Sequence, residues 1–180
     1  MTILFIALAL LLVALAIVIL VASSKPDTFQ VARSVAIQAT PQAIGPWIAN
    51  FHRWTDWSPW DHLDPDLERT YDGAPEGVGA RYGWKGRKSG EGRMELREFE
   101  PGRRVGIRIE FLKPFRASND VEFLLEAQGA STFVTWTMRG ANTFFPGKLM
   151  DVFLDKDKFL GKDFQKGLEA LRSRVENPHR

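Results

Sequence analysis

At 180 residues the chain holds one domain with a sizeable core and leaves little room for a second, since domains of roughly 100 to 200 residues are the usual size. Its 24 Lys and Arg against 22 Asp and Glu give a formal net charge of +2 with the signs mixed along the chain, which excludes the field of one sign that recruits a nucleic acid. The absence of Cys excludes a disulfide frame, a thiolate metal site and a cysteine nucleophile, while 13 Phe and 6 Trp supply large rings of the kind that line cores and apolar pockets.

The first element is Ile3 to Ala22, an unbroken run of 20 apolar residues. A helix of that length crosses a hydrocarbon core of about 30 Å, at about 1.5 Å per residue. A cleaved signal has a basic leading region and an apolar stretch of about 7 to 15 residues. This run is longer and no Lys or Arg precedes it, which favours an uncleaved anchor, with Ala22-Ser23-Ser24 keeping a cleavage site open as the alternative. Lys25 and Arg33 on its C-terminal side put the rest of the chain in the cytoplasm by the positive-inside rule. The chain thus divides into an anchor (1–24), a linker (25–28), a folded domain (29–176) and a tail (177–180).

Phe29, Val31, Val35 and Ile37 share one alternating register and predict a first strand. Thr40-Pro41 offers an N-cap with Pro at the first helical position, and Ile44, Trp47 and Ile48 follow at helical spacing, although Gly45 and Pro46 weaken that helix. Between Phe51 and Pro65 three Trp, two Pro and three Asp follow neither period and read as an ordered, ring-rich loop. From Glu68 to Met138 alternation returns repeatedly between Gly-containing turns, which predicts an antiparallel meander. Its registers include Ala80/Tyr82/Trp84, Val105/Ile107/Ile109/Phe111, Val121/Phe123/Leu125 and Val134/Trp136/Met138, with Arg81, Lys85, Arg108, Glu110 and Glu122 on the opposite, wet face. Met150, Phe153, Leu160, Phe164, Leu168, Leu171 and Val175 then lie near one stripe and predict a long amphipathic helix. The fold class is α+β: an N-terminal transmembrane helix, then a bent antiparallel sheet whose apolar face is covered by the C-terminal helix. A cavity between the two is the natural place for a ligand.

The chain resembles the START-like (Bet v 1-like, helix-grip) superfamily, and within it the polyketide cyclase/dehydrase and lipid-transport, or SRPBCC, group. The residues that carry the resemblance are Arg33-Ser34-Val35, Trp54-Thr55-Asp56-Trp57-Ser58-Pro59-Trp60 with Asp64-Pro65, Gly77-Val78-Gly79 with Tyr82-Gly83-Trp84, and Gly90-Glu91-Gly92-Arg93-Met94. Thr135-Trp136-Thr137-Met138 and Lys162-Asp163-Phe164-Gln165-Lys166-Gly167-Leu168 complete it, so that it covers about Thr28 to Val175. It implies a helix-grip fold with a cavity for a lipid, sterol, hormone or polyketide; a minority of the superfamily catalyse cyclisation or dehydration, so fold likeness leaves the activity open.

The expected function is a membrane-tethered binding domain for a hydrophobic or amphipathic small molecule, lipid or polyketide-like, with no cofactor and no metal. Its cavity is expected to draw on Trp57 and Trp60 of the loop, Trp84, Met94, Ile107, Ile109, Phe123, Leu125, Trp136 and Met138 of the sheet, and Phe153 and Phe164 of the helix. The indoles of Trp54 to Trp60 near Asp56 and Asp61 would roof a pocket and hold a polar ligand group, or else simply pack beneath the sheet edge. His52 and His62 follow no metal-ligand spacing and read as exposed or loop-satisfied. Glu110 and Arg108 read as solvent-facing unless the register inverts, and Arg81 and Tyr82 are candidates of the same kind. The seven glycines from Gly73 to Gly92 read as turns and not as a phosphate cradle. Lys158, Lys162 and Lys166 form a basic column diluted by Asp155, Asp157 and Asp163. Two rival readings are a cyclase- or dehydratase-type enzyme using Asp56 or Glu110 with a Tyr or His partner, and an interaction module using the Trp-rich loop.

Overall fold

The computed structural model describes residues 2–143, 145–153 and 155–178; the side chain of Met150, on the expected helical stripe, lies outside the described set. Helix α1 (Thr2–Ser23) takes up the whole apolar run and is long and apolar enough to cross a membrane. Strand β1 (Thr28–Ile37) follows after four residues, then α2 (Pro41–Ala49) and a 3₁₀ helix (Phe51–Asp56). Six strands come next: β2 (Glu68–Gly73), β3 (Ala80–Gly86), β4 (Gly90–Glu100), β5 (Arg104–Lys113), β6 (Ala117–Gln128) and β7 (Ser131–Ala141). Helices α3 (Phe145–Phe153) and α4 (Lys156–Glu176) close the chain.

Local chemistry accounts for most of these boundaries. Thr40 is extended and its hydroxyl accepts from Ala43 N at 3.3 Å, so with Pro41 at the first position α2 starts where the cap places it. Gly45 and Pro46, expected to weaken this helix, do not end it. The loop expected to be irregular instead opens with a regular turn, because the Asn50 side chain accepts from His52 N at 3.0 Å and caps the 3₁₀ helix. Gly90 and Gly129, at φ 71° and 63°, occupy the left-handed region in the β3–β4 and β6–β7 turns, where a side chain would be strained.

All seven strands join one antiparallel sheet in the order β1-β7-β6-β5-β4-β3-β2, and register shifts in β4 at Glu91/Gly92 and Leu96/Glu98 bend it. One face is laced with ion pairs, Arg93–Glu110 at 2.6 Å and Arg108–Asp120 at 2.7 Å among them. Such exposed pairs each contribute about 0–1 kcal/mol. The other face packs on α2 and α4 through Val31, Val35, Ile37, Leu96, Val105 and Val134 of the sheet and Ile44, Ile48, Leu168 and Leu171 of the helices. Each fully buried aliphatic or Phe side chain there stabilises the fold by roughly 1.5–3 kcal/mol. Close approach depends on Gly167, where a Cβ would stand 2.9 Å from the Trp136 ring and 3.1 Å from Pro59.

The single long C-terminal helix of the sequence reading is two helices. Asp155 leaves helical geometry and its carboxylate accepts from Lys158 N at 3.2 Å, an N-cap that starts α4 anew. Helix α3 turns away to pack beside α1, whose one buried residue among those described is Ala22. Phe153, expected in the cavity, therefore sits at the end of α3 and is 72% exposed.

Because every pairing is antiparallel, one end of the sheet gathers the start of β1, the β3–β4 and β5–β6 turns, the start of β2 and the end of β7. Helix α4 begins at this end, the one that α1 adjoins, where Lys156 Nζ donates to Asn142 Oδ1 at 2.8 Å. It finishes at the far end, where Glu176 accepts from Gln38 N at 2.8 Å.

Candidate functional site

The core is filled unevenly along the sheet. At the far end α2 and the last turns of α4 press on Ile37, Leu96, Val105, Leu125 and Val134, all nearly or wholly buried. Toward the α1 end α2 no longer reaches, and a cavity of about 160 Å³ remains between the sheet, the first turns of α4 and the loop that follows the 3₁₀ helix. A buried water needs about 10–15 Å³ of such space, so the room exceeds one water by roughly tenfold.

Of the expected wall residues, Trp60, Trp84, Met94, Ile109, Trp136 and Met138 line this cavity. Trp57, Ile107, Phe123, Leu125 and Phe164 lie in the packed core behind it instead. The sheet's apolar face runs through both regions, and period-2 alternation cannot separate a residue that meets a helix from one that meets a void. Leu67, Phe111, Val121 and Leu160, absent from the expected wall, line it as well, as do Trp54 of the ring-rich loop and Tyr82, the one candidate of its kind that reaches the cavity.

The Trp-rich loop divides by role. Trp54 Nε1 donates to Ile48 O at 2.9 Å and Trp57 Nε1 to Trp47 O at 3.1 Å, so these two indoles fasten the loop to α2. Trp60 faces Trp136 and Phe164 edge-on at 5.5 and 5.9 Å. Trp136 is stacked between Phe164 at 4.4 Å and Phe123 at 4.8 Å, and among the described residues its buried Nε1–H has no hydrogen-bond partner. A second fastening comes from Asp64, whose carboxylate accepts from Lys88 N at 3.0 Å and from Ser89 N and Oγ at 2.8 and 2.5 Å. These bonds, that of the Ser89 hydroxyl above all, hold the Asp64 carboxyl below its ordinary pKa and clamp the loop to the β3–β4 turn.

The polar part of the wall is Asp61 with Tyr82. Asp61 is buried; it accepts from the Tyr82 hydroxyl at 2.9 Å and from Arg69 Nε at 3.1 Å, while Arg69 Nη2 reaches the Asp61 carbonyl at 2.6 Å. Burial, then the Asp61 charge, push the Tyr82 phenol far above its ordinary range, so it stays protonated as the donor. The hydrogen bond to Asp61 raises the Arg69 guanidinium in turn. Chemically, this is a carboxylate paired with a guanidinium, beside a phenol whose oxygen keeps lone pairs to accept from a ligand hydroxyl or amide. The sequence reading had Asp61 near the pocket and missed Arg69, which sits in a short strand with no apolar alternation to give it away.

The other candidates fall outside the cavity. Glu110 pairs with Arg93 on the wet face, and Arg108 with Asp120 beside it. Arg81 is exposed on the same face, near Glu95 at 3.7 Å. Asp56 and His62 are exposed; His52 is also exposed and stacks on Tyr71 at 3.9 Å. No group of three His, Asp or Glu with metal-binding proximity exists among the described residues. Of the basic column, Lys158 and Lys166 pair with Asp155 and Asp163, and all three lysines are exposed.

Comparison with known proteins agrees with this architecture. No curated protein matches the chain. Among solved structures, protein MLL2253 from Mesorhizobium loti superposes with a TM-score of 0.61 at 15% identity, covering 84% of this chain and 99% of that one. Protein Mll3558 from Rhizobium loti gives 0.61 at 20% identity, covering 81% and 96%. DynU16, a protein of the dynemicin biosynthetic locus, gives 0.57 at 16% identity, covering 86% of this chain and 49% of its own. At these identities the likeness is one of fold. Residues 28–176, nearly the whole chain after α1, match the family described as polyketide cyclase / dehydrase and lipid transport, and the chain belongs to that family.

Proposed function

We propose that this protein is a membrane-tethered binding domain for a hydrophobic or amphipathic small molecule. The observation that carries the reading is the aromatic cavity of about 160 Å³ between sheet and α4, apolar over nearly all its wall. Asp61 with Tyr82 supplies the polar contact that orients one end of an amphipathic ligand, and the partnerless Trp136 N–H favours a ligand that carries an acceptor. The anchor is α1, with the domain on the cytoplasmic side by the Lys25 and Arg33 charges. The test is native mass spectrometry of the full chain released from its own host's membranes, followed by organic extraction. A reproducible lipophilic adduct supports the reading. An adduct-free mass, with no thermal shift on adding fatty acids, sterols or aromatic polyketides, refutes it.

A second reading, an enzyme on the same cavity, is favoured by one observation: a buried carboxylate and a protonated phenol stand in contact in the wall. Asp61 is neutralised by Arg69, which suits it to orient the phenol more than to abstract a proton. Turnover of a bound molecule that is lost in Tyr82→Phe while binding persists would establish this second reading.

A further inference from the structure

We infer that the anchor end of the domain docks mouth-down on the bilayer that α1 crosses, so that the cavity exchanges its ligand with the membrane and not with the aqueous phase. The inference rests on the tethered-binding reading above and adds a docking face and a ligand source to it.

Three independent features meet at this end. The first is reach. Only Ser24 to Asp27 separate α1 from β1, a span of at most roughly 14 Å when fully extended. That span is further tied down, because Asn142 N and Nδ2 donate to Asp27 O at 2.7 Å and Pro26 O at 3.1 Å. The start of β1, and with it the whole edge that the antiparallel register gathers, stays near the bilayer surface.

The second feature is the position of the cavity. Ser89 of the β3–β4 turn, Phe111 near the end of β5, Trp84 near the end of β3 and Leu160 in the first turns of α4 all line it, and all belong to the anchor end. The far end is closed by packed core.

The third is the surface of the anchor end itself. Outside α1, the exposed large apolar side chains among the described residues are Leu63, Val78, Phe115, Phe153 and Phe159. Four of these five stand at the anchor end: Leu63 beside the clamped Asp64, Phe115 in the β5–β6 turn, Phe153 on α3 and Phe159 in the first turn of α4. Only Val78, in the β2–β3 turn, lies at the other end. Arg87, Lys88 and Arg116 project from the same anchor-end turns as exposed cations. Apolar side chains with cations beside them match an interface of acyl chains and anionic headgroups, although the exposed Asp66, Asp155 and Asp157 stand at the same end.

The test uses the full chain in vesicles of phosphatidylcholine containing phosphatidylglycerol. Since the chain has no Cys, Leu12→Cys, Phe115→Cys and Val78→Cys each take one fluorophore at an exposed site, and a lipid bearing a quencher on its acyl chain reads burial in the bilayer. Quenching is expected at Leu12 and Phe115, with the Phe115 label quenched well above the Val78 label. Replacing phosphatidylglycerol by phosphatidylcholine, or Arg87, Lys88 and Arg116 by Glu, should reduce the Phe115 signal and leave Leu12 unchanged. A quenched Leu12 with a Phe115 no more quenched than Val78 overturns the docking inference and leaves the tether standing. An unquenched Leu12 overturns the tether, and the docking inference with it.

Discussion

Replacing Asp61 by Ala tests whether the polar corner of the cavity is a structural fastening. In the variant the Tyr82 hydroxyl, in a side chain only 7% exposed, loses its acceptor. An unsatisfied buried donor costs about 1–3 kcal/mol. Arg69 loses its carboxylate but keeps the carbonyls of residue 61 and of Leu67, and its side chain is 28% exposed, so solvent screens most of the loss and about 1 kcal/mol remains. Together these give about 2–4 kcal/mol, which lowers the melting temperature by roughly 4–16 °C for a protein of this size. Asp61→Asn keeps an acceptor for Tyr82 and removes only the charge, so its shift should stay near about 1 kcal/mol, or roughly 2–4 °C. The assay is the near-ultraviolet circular dichroism melt of the full chain in detergent micelles, which reads the packed indoles directly. An alanine variant that melts with the wild type, or an Asn variant as damaged as the Ala one, would refute the assignment of the loss to the Tyr82 donor.

Three further outcomes follow from the same geometry. Asp64, held below its ordinary pKa by the Ser89 hydroxyl, and Asp157, held below it by the Arg33 guanidinium, contribute stability that is fully present above the unfolded carboxyl pKa of 3.8 and is lost as pH falls through their lowered folded values. Denaturant midpoints should therefore be flat from neutrality to about pH 5 and fall below about pH 4, with a shallower fall in Asp64→Asn. The chain has two tyrosines, and burial raises both phenols, so the tyrosinate absorbance should rise with alkaline unfolding and not near the ordinary value of 10.0; a clean two-tyrosine titration at that value in folded protein would contradict the burial. Gly92→Ala places a methyl against the Trp84 ring and 2.7 Å from Glu110 O. Since backbone and a wall indole must shift, a loss of about 1–3 kcal/mol is expected, read by denaturant titration, together with a changed Trp emission maximum.

An unbroken apolar run made the N-terminal helix legible, and alternating and helical periods did the same for the first strand, the meander and the C-terminal stripe, because the period of the apolar residues states which face of an element is covered. The ring-rich motifs made the family legible as well. What period does not state is the identity of the covering group. The registers of Ile107 and Ile109 are identical in pattern, yet one meets packed core and the other the cavity, a difference set by how far α2 reaches along the sheet. The break at Asp155 was hidden for a related reason: residues on both sides keep the same apolar spacing, and only the packing of α3 on α1 draws Phe153 off the stripe. Asp61 meets Arg69 across eight positions and Tyr82 across twenty-one, so the polar corner exists only once the loop has folded back onto β2 and β3. The α1 end of the domain is likewise a product of register, since antiparallel pairing brings together one end of α1, two hairpin turns and the start of α4 from across the chain. The sequence by itself determined most of the elements, their wet and covered faces and the kinship. The tertiary structure decided where the cover falls short, because that depends on contacts between residues far apart in the chain.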